Sequence, residues 1–255
     1  MVSLEKIAAR YDTDKGEHPY CLSNYEHCFA DLRGKEIRLL ELGIKTGGSL
    51  LLWRDYFERG LIVGLDFNSI DIDQPRIRTY EGKQNDTELL DHIAKENAPN
   101  GFDIIIDDCS HIGVLARASF WHLFAHHLKS GGFYVIEDWG TGYWDSWVDG
   151  IGYRPQEKHF SPKLYRLTRI LARLWRHPIA QHVPLVGKAV SQTKAFVVGT
   201  QFHSHDYGMV AFVKELVDEL GMSDISHPQL GTIPPRASKF REIRMSPSHL
   251  LITKA

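Results

Sequence analysis

Residues 37–53 read IRLLELGIKTGGSLLLW, and this stretch decides the fold. Ile37-Arg38-Leu39-Leu40-Glu41-Leu42 is a short, nearly continuous apolar run, which suits a strand covered on both faces. Gly43 and the Gly47-Gly48 pair form a glycine-rich turn. An amphipathic stretch through Leu50, Leu51, Trp53, Tyr56 and Phe57 then has helical spacing. The unit is strand, glycine turn, helix, and it recurs downstream. Leu61–Asp66 predicts a second strand, Ile77–Glu81 a shorter third, Thr87–Lys95 a helix and Phe102–Asp107 a strongly apolar fourth strand. A helix from about Val114 to Leu128, stopped by Gly131-Gly132, precedes a fifth strand at Phe133–Glu137. Apolar strands alternating with helices indicate an α/β, doubly wound, mostly parallel sheet. The C-terminal part changes pattern: a helix near Tyr207–Leu220, then Phe240–Met245 and Leu250–Thr253 as a terminal antiparallel hairpin.

Composition frames this reading. The 255 residues are 43% hydrophobic and 24% charged with a formal net charge of −2, so no charge excess points to nucleic acid. The N-terminal stretch carries Glu5, Lys6 and Arg10 among its apolar residues and lacks the unbroken apolar core of a signal peptide. No apolar run approaches the ~20 residues that cross a bilayer. Cys21, Cys28 and Cys109 have no metal-ligand spacing and read as reduced thiols of a cytoplasmic protein. The expected organisation is a single domain over 1–255, with an N-terminal helical lid segment at 1–34 and a basic helical insert at 153–194. In that insert Arg166, Arg169, Arg173 and Arg176 share one helical face, while Leu164, Leu167, Ile170, Leu171, Leu174 and Trp175 share the other. Three readings of the insert stand: packing on the host domain, a substrate lid or subunit contact in a homo-oligomer, and attachment to an anionic membrane surface.

Ligands of a doubly wound sheet bind outside the carboxyl ends of its strands. The first strand ends in Glu41-Leu42-Gly43-Ile44-Lys45-Thr46-Gly47-Gly48-Ser49, where glycines admit close backbone approach and a helix N-terminus offers free N–H groups. The spacing is E-x-G-x-x-x-G, not the G-x-G-x-x-G of a dinucleotide fingerprint. The second strand ends in Asp66, whose carboxylate can accept both hydroxyls of a ribose or simply cap a helix. After the third strand, Gln84 and Asp86 are placed to reach an adenine or ribose. The fourth strand ends in Asp107-Asp108-Cys109-Ser110-His111 and the fifth in Glu137-Asp138. Four carboxylates at neighbouring tips repel one another unless a cation compensates, and a hard divalent ion with oxygen ligands is the natural compensation. By contrast, His122, His126 and His127 on one predicted helix read as structural.

With these motifs in view, the chain resembles class I S-adenosylmethionine-dependent methyltransferases. Within them it is most similar to the magnesium-dependent O-methyltransferases that act on macrolide sugars, of the mycinamicin and demethylmacrocin type. The shared residues are Tyr11-Asp12-Thr13-Asp14-Lys15-Gly16 with His18 and Tyr25, the ELGIKTGGSL turn, IIIDDCSH and VIEDWGTGY. The likeness covers roughly residues 5–145, weakens, and returns at Tyr207–Val217 and the last strand. The resemblance implies that Gly43, Gly47 and Ser49, with Glu41, surround the methionine part of the cofactor and that Asp66 holds its ribose. Gln84 and Asp86 would lie on the adenine side and Asp107 by the amino group. Asp108, Glu137 and Asp138 would bind Mg²⁺ or Mn²⁺, His111 would be the general base, and Lys15, His18 and Tyr25 would belong to a lid. Cys109 stands where such proteins commonly have glycine, and the 153–194 insert departs from them too.

The chemistry implied is transfer of a methyl group to the hydroxyl of a small molecule, a sugar or polyketide-type natural product. A metal-bound hydroxyl loses its proton more readily, and a histidine can take that proton. Vicinal hydroxyls of a sugar or catechol could chelate the ion together. Two alternatives within reach are a metal-independent small-molecule methyltransferase and a non-catalytic or membrane-associated cofactor-binding protein. A nicotinamide oxidoreductase is disfavoured by the glycine spacing, and the carboxylate cluster offers nothing to a hydride.

Overall fold

The strands of the computed structural model lie in one seven-stranded sheet of order β3-β2-β1-β4-β5-β7-β6. They span Arg38–Leu42 (β1), Leu61–Asp66 (β2), Ile77–Glu81 (β3), Phe102–Asp107 (β4), Leu128–Glu137 (β5), Phe240–Met245 (β6) and His249–Lys254 (β7). The structure describes residues 2–17, 19–144, 146–150, 207–221 and 237–255, with isolated helical positions at 170, 188 and 192. The predicted basic insert at 153–194 therefore lies outside the described residues, apart from those isolated positions, as does His18. The first five strands pair in parallel, and only β7 runs against its neighbours. This is the doubly wound sheet with an antiparallel C-terminal strand that the alternation of apolar runs predicts.

Successive strand residues point to opposite faces, and each face has its own cover. Leu40, Leu42, Val63, Leu65, Ile105, Tyr134 and Ile136 pack under α4 (Thr87–Asn97), α5 (Gly113–His126) and α6 (Gly208–Gly221). Leu39, Ile62, Ile104, Ile106, Val135 and Leu251 pack under α1 (Leu4–Ala8), α2 (Pro19–Phe29) and α3 (Gly48–Tyr56). The N-terminal segment contributes to this core: Leu4, Tyr25 and Phe29 are all fully buried. Tyr25 and Phe29 set their rings against Trp53 at 5.0 and 6.2 Å. On the other face Phe120 meets Tyr134, Phe212 and Phe240 edge-on.

One boundary differs from the sequence expectation. Helix α5 ends at His126 and β5 begins at Leu128, so Gly131-Gly132 lie inside the strand instead of stopping the helix. The His127 carbonyl accepts the Phe102 N–H at 2.7 Å, so the sheet captures the chain at once. The ladder then shifts from Phe102↔Leu128 to Ile104↔Phe133, and the extra residues bulge with Gly131 at φ 74°.

The N-termini of α5 and α6 meet on one carboxylate. Asp149 Oδ2 accepts the Gly113 and Met209 N–H groups, each at 2.7 Å, in a buried position. A negative charge there satisfies two orphan donors and both helix dipoles. Replacing Asp149 by Ala should lower unfolding free energy by about 1–4 kcal/mol, two cap losses of the usual size. Asp149→Asn, which keeps an acceptor, should lose much less in urea melts.

Candidate active site

The strand order reverses between β1 and β4, and the crevice at that switch opens into a cavity of about 860 Å³. Gly43 shapes its floor. Its φ is 82°, and a Cβ there would lie 2.2 Å from the Asp108 carbonyl oxygen, so the turn after β1 and the tip of β4 can touch only through glycine. Gly48, at the start of α3, stands equally close to the backbone of Asp12, which draws residues 12–17 over the cavity rim. Lys45, His111 and Asp138, three of the four non-glycine residues with left-handed backbone among the described residues, line this cavity. Such conformations cost energy and gather at functional sites.

Strand parity sorts the carboxylates. Glu41, Asp108 and Glu137 project to the face covered by the N-terminal segment, and Lys15 stands among them. Its ammonium lies 3.2 Å from Glu41 Oε1 and donates to Asp108 Oδ2 at 2.7 Å and Glu137 Oε1 at 2.6 Å. Burial alone would lower the Lys15 pKa, but Asp108, Glu137 and Glu41 outweigh it and keep the ammonium protonated. Burial likewise disfavours ionised Glu137, yet Lys15 and His249 hold it well below the usual carboxylate range. Asp108 is pushed the other way by burial and by Glu137. The Tyr25 hydroxyl donates to Glu137 Oε1, and His249 Nε2 stands 3.5 Å from Glu137 Oε2. The register pairs Glu137 with His249 across β5 and β7.

The predicted ligand set is therefore divided. Asp138, one residue on and at φ 49°, turns away from Glu137 and joins a second group with Asp108 and His111. His111 Nε2 lies 3.7 Å from Asp108 Oδ1 and 4.0 Å from Asp138 Oδ2. Burial pushes the His111 imidazole below its ordinary pKa, against the pull of Asp138 and Glu137. Its carbonyl is held by Thr141 and Trp147.

The remaining predicted residues fall in different places. Asp66 lines the cavity, where Oδ2 accepts the Ile44 and Lys45 N–H groups at 2.9 and 3.1 Å and Oδ1 that of Asn68. Ser49 lines the cavity too and donates to Glu41 Oε2 at 2.7 Å. Gly47 forms the N-cap of α3. Asp107 points to the opposite face of the sheet from Asp108 and is buried under α5, where Ser119, Gln84 and Tyr134 surround it. Burial pushes its pKa up to about 6. Gln84 is buried with it, and its Oε1 accepts the Ser110 N–H, bracing the loop that carries His111. Asp86 caps α4 by accepting the Leu89 N–H at 3.1 Å. Sequence reasoning missed His249 and the counter-ion role of Lys15; the first depends on the register of a distant hairpin, and the second on where a loop folds back.

The comparisons with known proteins match this picture. The chain is 37% identical over 221 residues to the mycinamicin VI 2''-O-methyltransferase of Micromonospora griseorubida, across 83% of this chain and 52% of that protein. It is 42% identical over 150 residues to the demethylmacrocin O-methyltransferase of Streptomyces fradiae, across 55% of this chain and 37% of the relative. Among solved structures, the MycE methyltransferase from the mycinamycin biosynthetic pathway, in complex with Mg and SAH, superposes with a TM-score of 0.69 at 29% identity. That likeness covers all of this chain and 55% of the other. No protein-family model matches. The chain spans about half the length of the first of these relatives and less of the other. The fold is that of the class I methyltransferases, and the chain resembles the macrolide-sugar O-methyltransferases.

Lys15 gives this site its sharpest stability test. Lys15→Met keeps the length of the side chain but leaves buried carboxylates without their cation, and should cost about 3–5 kcal/mol in chemical denaturation. A loss below about 1 kcal/mol would mean that the ammonium does not carry the cluster.

Proposed function

We propose that this chain is an S-adenosylmethionine-dependent O-methyltransferase that methylates a hydroxyl of a sugar or polyketide-type natural product with the help of a divalent cation. The observation that carries the reading is the meeting of four carboxylates and His111 beside a glycine-floored cavity at the topological switch. The relatives' names supply the acceptor class: they include a mycinamicin VI 2''-O-methyltransferase, an L-olivosyl-oleandolide 3-O-methyltransferase and a rhamnosyl-tetracenomycin-C O-methyltransferase, and one solved relative holds Mg, SAH and mycinamycin VI.

The residues fit both groups. For the cofactor, a cavity of about 860 Å³ is within the range of small-molecule sites and has room for an acceptor as well. Gly43 and Ser49, which line the cavity, would border its methionine part, with Gly47 at the N-cap of α3 and Glu41 behind them, and Asp66 would hold the ribose. For the cation, Glu41, Asp108, Glu137 and Asp138 stand against the single ammonium of Lys15, which leaves the basin floor net negative. Asp108 Oδ1 and Asp138 Oδ2 are oxygen donors that Lys15 does not occupy; Glu137, which lies in the Lys15 group and not beside Asp138, would have to reorient to join them through Oε2, now 3.5 Å from His249. When bound, the cofactor supplies an electrophilic methyl group and the cation supplies charge that acidifies a hydroxyl.

His111 Nε2 would receive the hydroxyl proton. The imidazole is mostly buried, and burial favours its neutral, proton-accepting form. Asp108 and Asp138 on either side would stabilise the imidazolium once the proton has moved. Thr141 and Trp147 fix the backbone that carries the ring. Trp144 and Phe67, both exposed and both lining the cavity, offer apolar surface to the acceptor. Among the described residues no helix is long and apolar enough to cross a membrane; a cytoplasmic setting is part of the proposed reading.

Methyl transfer should stop in excess chelator and return with Mg²⁺ or Mn²⁺; full activity in chelator would end the metal-assisted reading. His111→Gln should lower kcat by about 10²–10⁴-fold, the range for loss of a general base, while the Mg²⁺ concentration for half-activation stays unchanged. A large rise in that concentration would make His111 a ligand instead. Since the folded imidazole pKa is lowered, wild-type activity should rise with pH through an apparent pKa below the ordinary 6.5 and stay high above it. Asp66→Ala should weaken cofactor binding about ten-fold or more by calorimetry, from lost charge-assisted hydrogen bonds.

A further inference from the structure

Outside the cavity, a second cluster of metal-binding side chains joins α4 to the end of α5. Asp91 Oδ1 accepts Nε2–H of His122 at 2.8 Å and Nε2–H of His127 at 2.6 Å. Both imidazoles are largely covered, at 18% and 15% side-chain exposure, while Asp91 is 40% exposed. A single carboxylate oxygen thus draws two imidazoles from a helix and its C-cap, and the three donor atoms all lie within 4.8 Å of one another. His126, exposed on the same turn, places a third imidazole with its ring centre 5.4 Å from that of His122. Helix α5 begins beside the carboxyl ends of the strands and ends where β5 begins. The cluster therefore lies toward the amino-terminal edge of the sheet and shares no residue with the cavity.

We propose that Asp91, His122 and His127 form a binding site for a transition-metal ion of the zinc class, separate from the cavity. Two imidazole nitrogens and one carboxylate oxygen are the donors such ions take, whereas magnesium and calcium prefer oxygen alone. Around a tetrahedral zinc with bonds of about 2.0–2.1 Å, neighbouring ligand atoms stand about 3.3 Å apart. The observed 2.6 and 2.8 Å separations from Asp91 must open by about half an ångström, and the two imidazole nitrogens, within 4.8 Å of each other, must take the same spacing, through rotation of the solvent-facing Asp91 carboxylate and of the rings. Because its ligands come from α4 and from both sides of the α5–β5 junction, the bound ion would clip these elements together.

The test uses the full chain, stripped with chelator and held in excess Mg²⁺ so that oxygen-donor sites are filled. Zinc is titrated by calorimetry, and Co²⁺ serves as a spectroscopic probe of coordination. The wild type should bind one zinc in this site with a matching rise in Tm, and tetrahedral Co²⁺ should show intense visible bands. His122→Gln and His127→Gln, both close to the surface, should each weaken zinc at least ten-fold and abolish the Tm rise, and His111→Gln should leave both intact. Equal zinc binding by the wild type and both glutamine variants would overturn the proposal. Loss of zinc binding in His111→Gln alone would overturn it as well, by placing the ion in the cavity.

Discussion

One buried ammonium organises this molecule. Lys15 belongs to a short turn that touches the ends of three strands, and its charge is answered by Glu41, Asp108 and Glu137. Taking any of these ions out of water singly would cost several kcal/mol. Together they offset much of one another's charge, and Ser49, Tyr25 and His249 extend the cluster, although Glu41 Oε1 and His249 Nδ1 have no hydrogen-bond partner among the described residues. Because the cation comes from the N-terminal segment and the anions from β1, β4 and β5, the electrostatics can be satisfied only if that segment folds back across the strand tips. The aromatic contacts of Tyr25 and Phe29 with Trp53 hold it there from below. The segment that roofs the cavity is thus also part of the core.

The same arrangement explains how adjacent acids acquire different roles. Asp107 and Asp108 are neighbours in sequence but stand on opposite faces of the sheet. Asp107 is buried among hydroxyl and amide donors, while Asp108 meets Lys15 and borders His111. Glu137 and Asp138 divide in the same way, and the left-handed backbone of Asp138 carries it out of the Lys15 cluster. Two overlapping groups result, one organised by an ammonium and one open to the cavity, with Asp108 belonging to both. Asp108 and Asp138 present their remaining oxygens to the open side, beside His111.

The alternation of apolar runs and helices determined the sheet, and the strands at 61–66, 77–81 and 102–107 stand where the pattern puts them; the central ones are apolar because they are buried on both faces, while the edge strand at 77–81 is only partly covered. The E-x-G-x-x-x-G turn located the crevice, since close backbone approach there requires glycine. Residues at strand tips could therefore be collected as a site from sequence alone. What sequence could not fix was direction and register. Asp86 caps its own helix through the Leu89 N–H, whereas Gln84 is drawn across to the loop at Ser110, 26 residues away, by tertiary packing. Gly131-Gly132 form a bulge rather than a helix stop because the sheet captures the chain at His127. His249 enters through the pairing of a hairpin more than a hundred residues beyond Glu137, and Asp149 through the meeting of two helix ends. Lys15 is the plainest case. A lone lysine in a polar turn carries no local sign of burial, and only the tertiary fold, by placing three carboxylates around it, makes burial of its charge favourable.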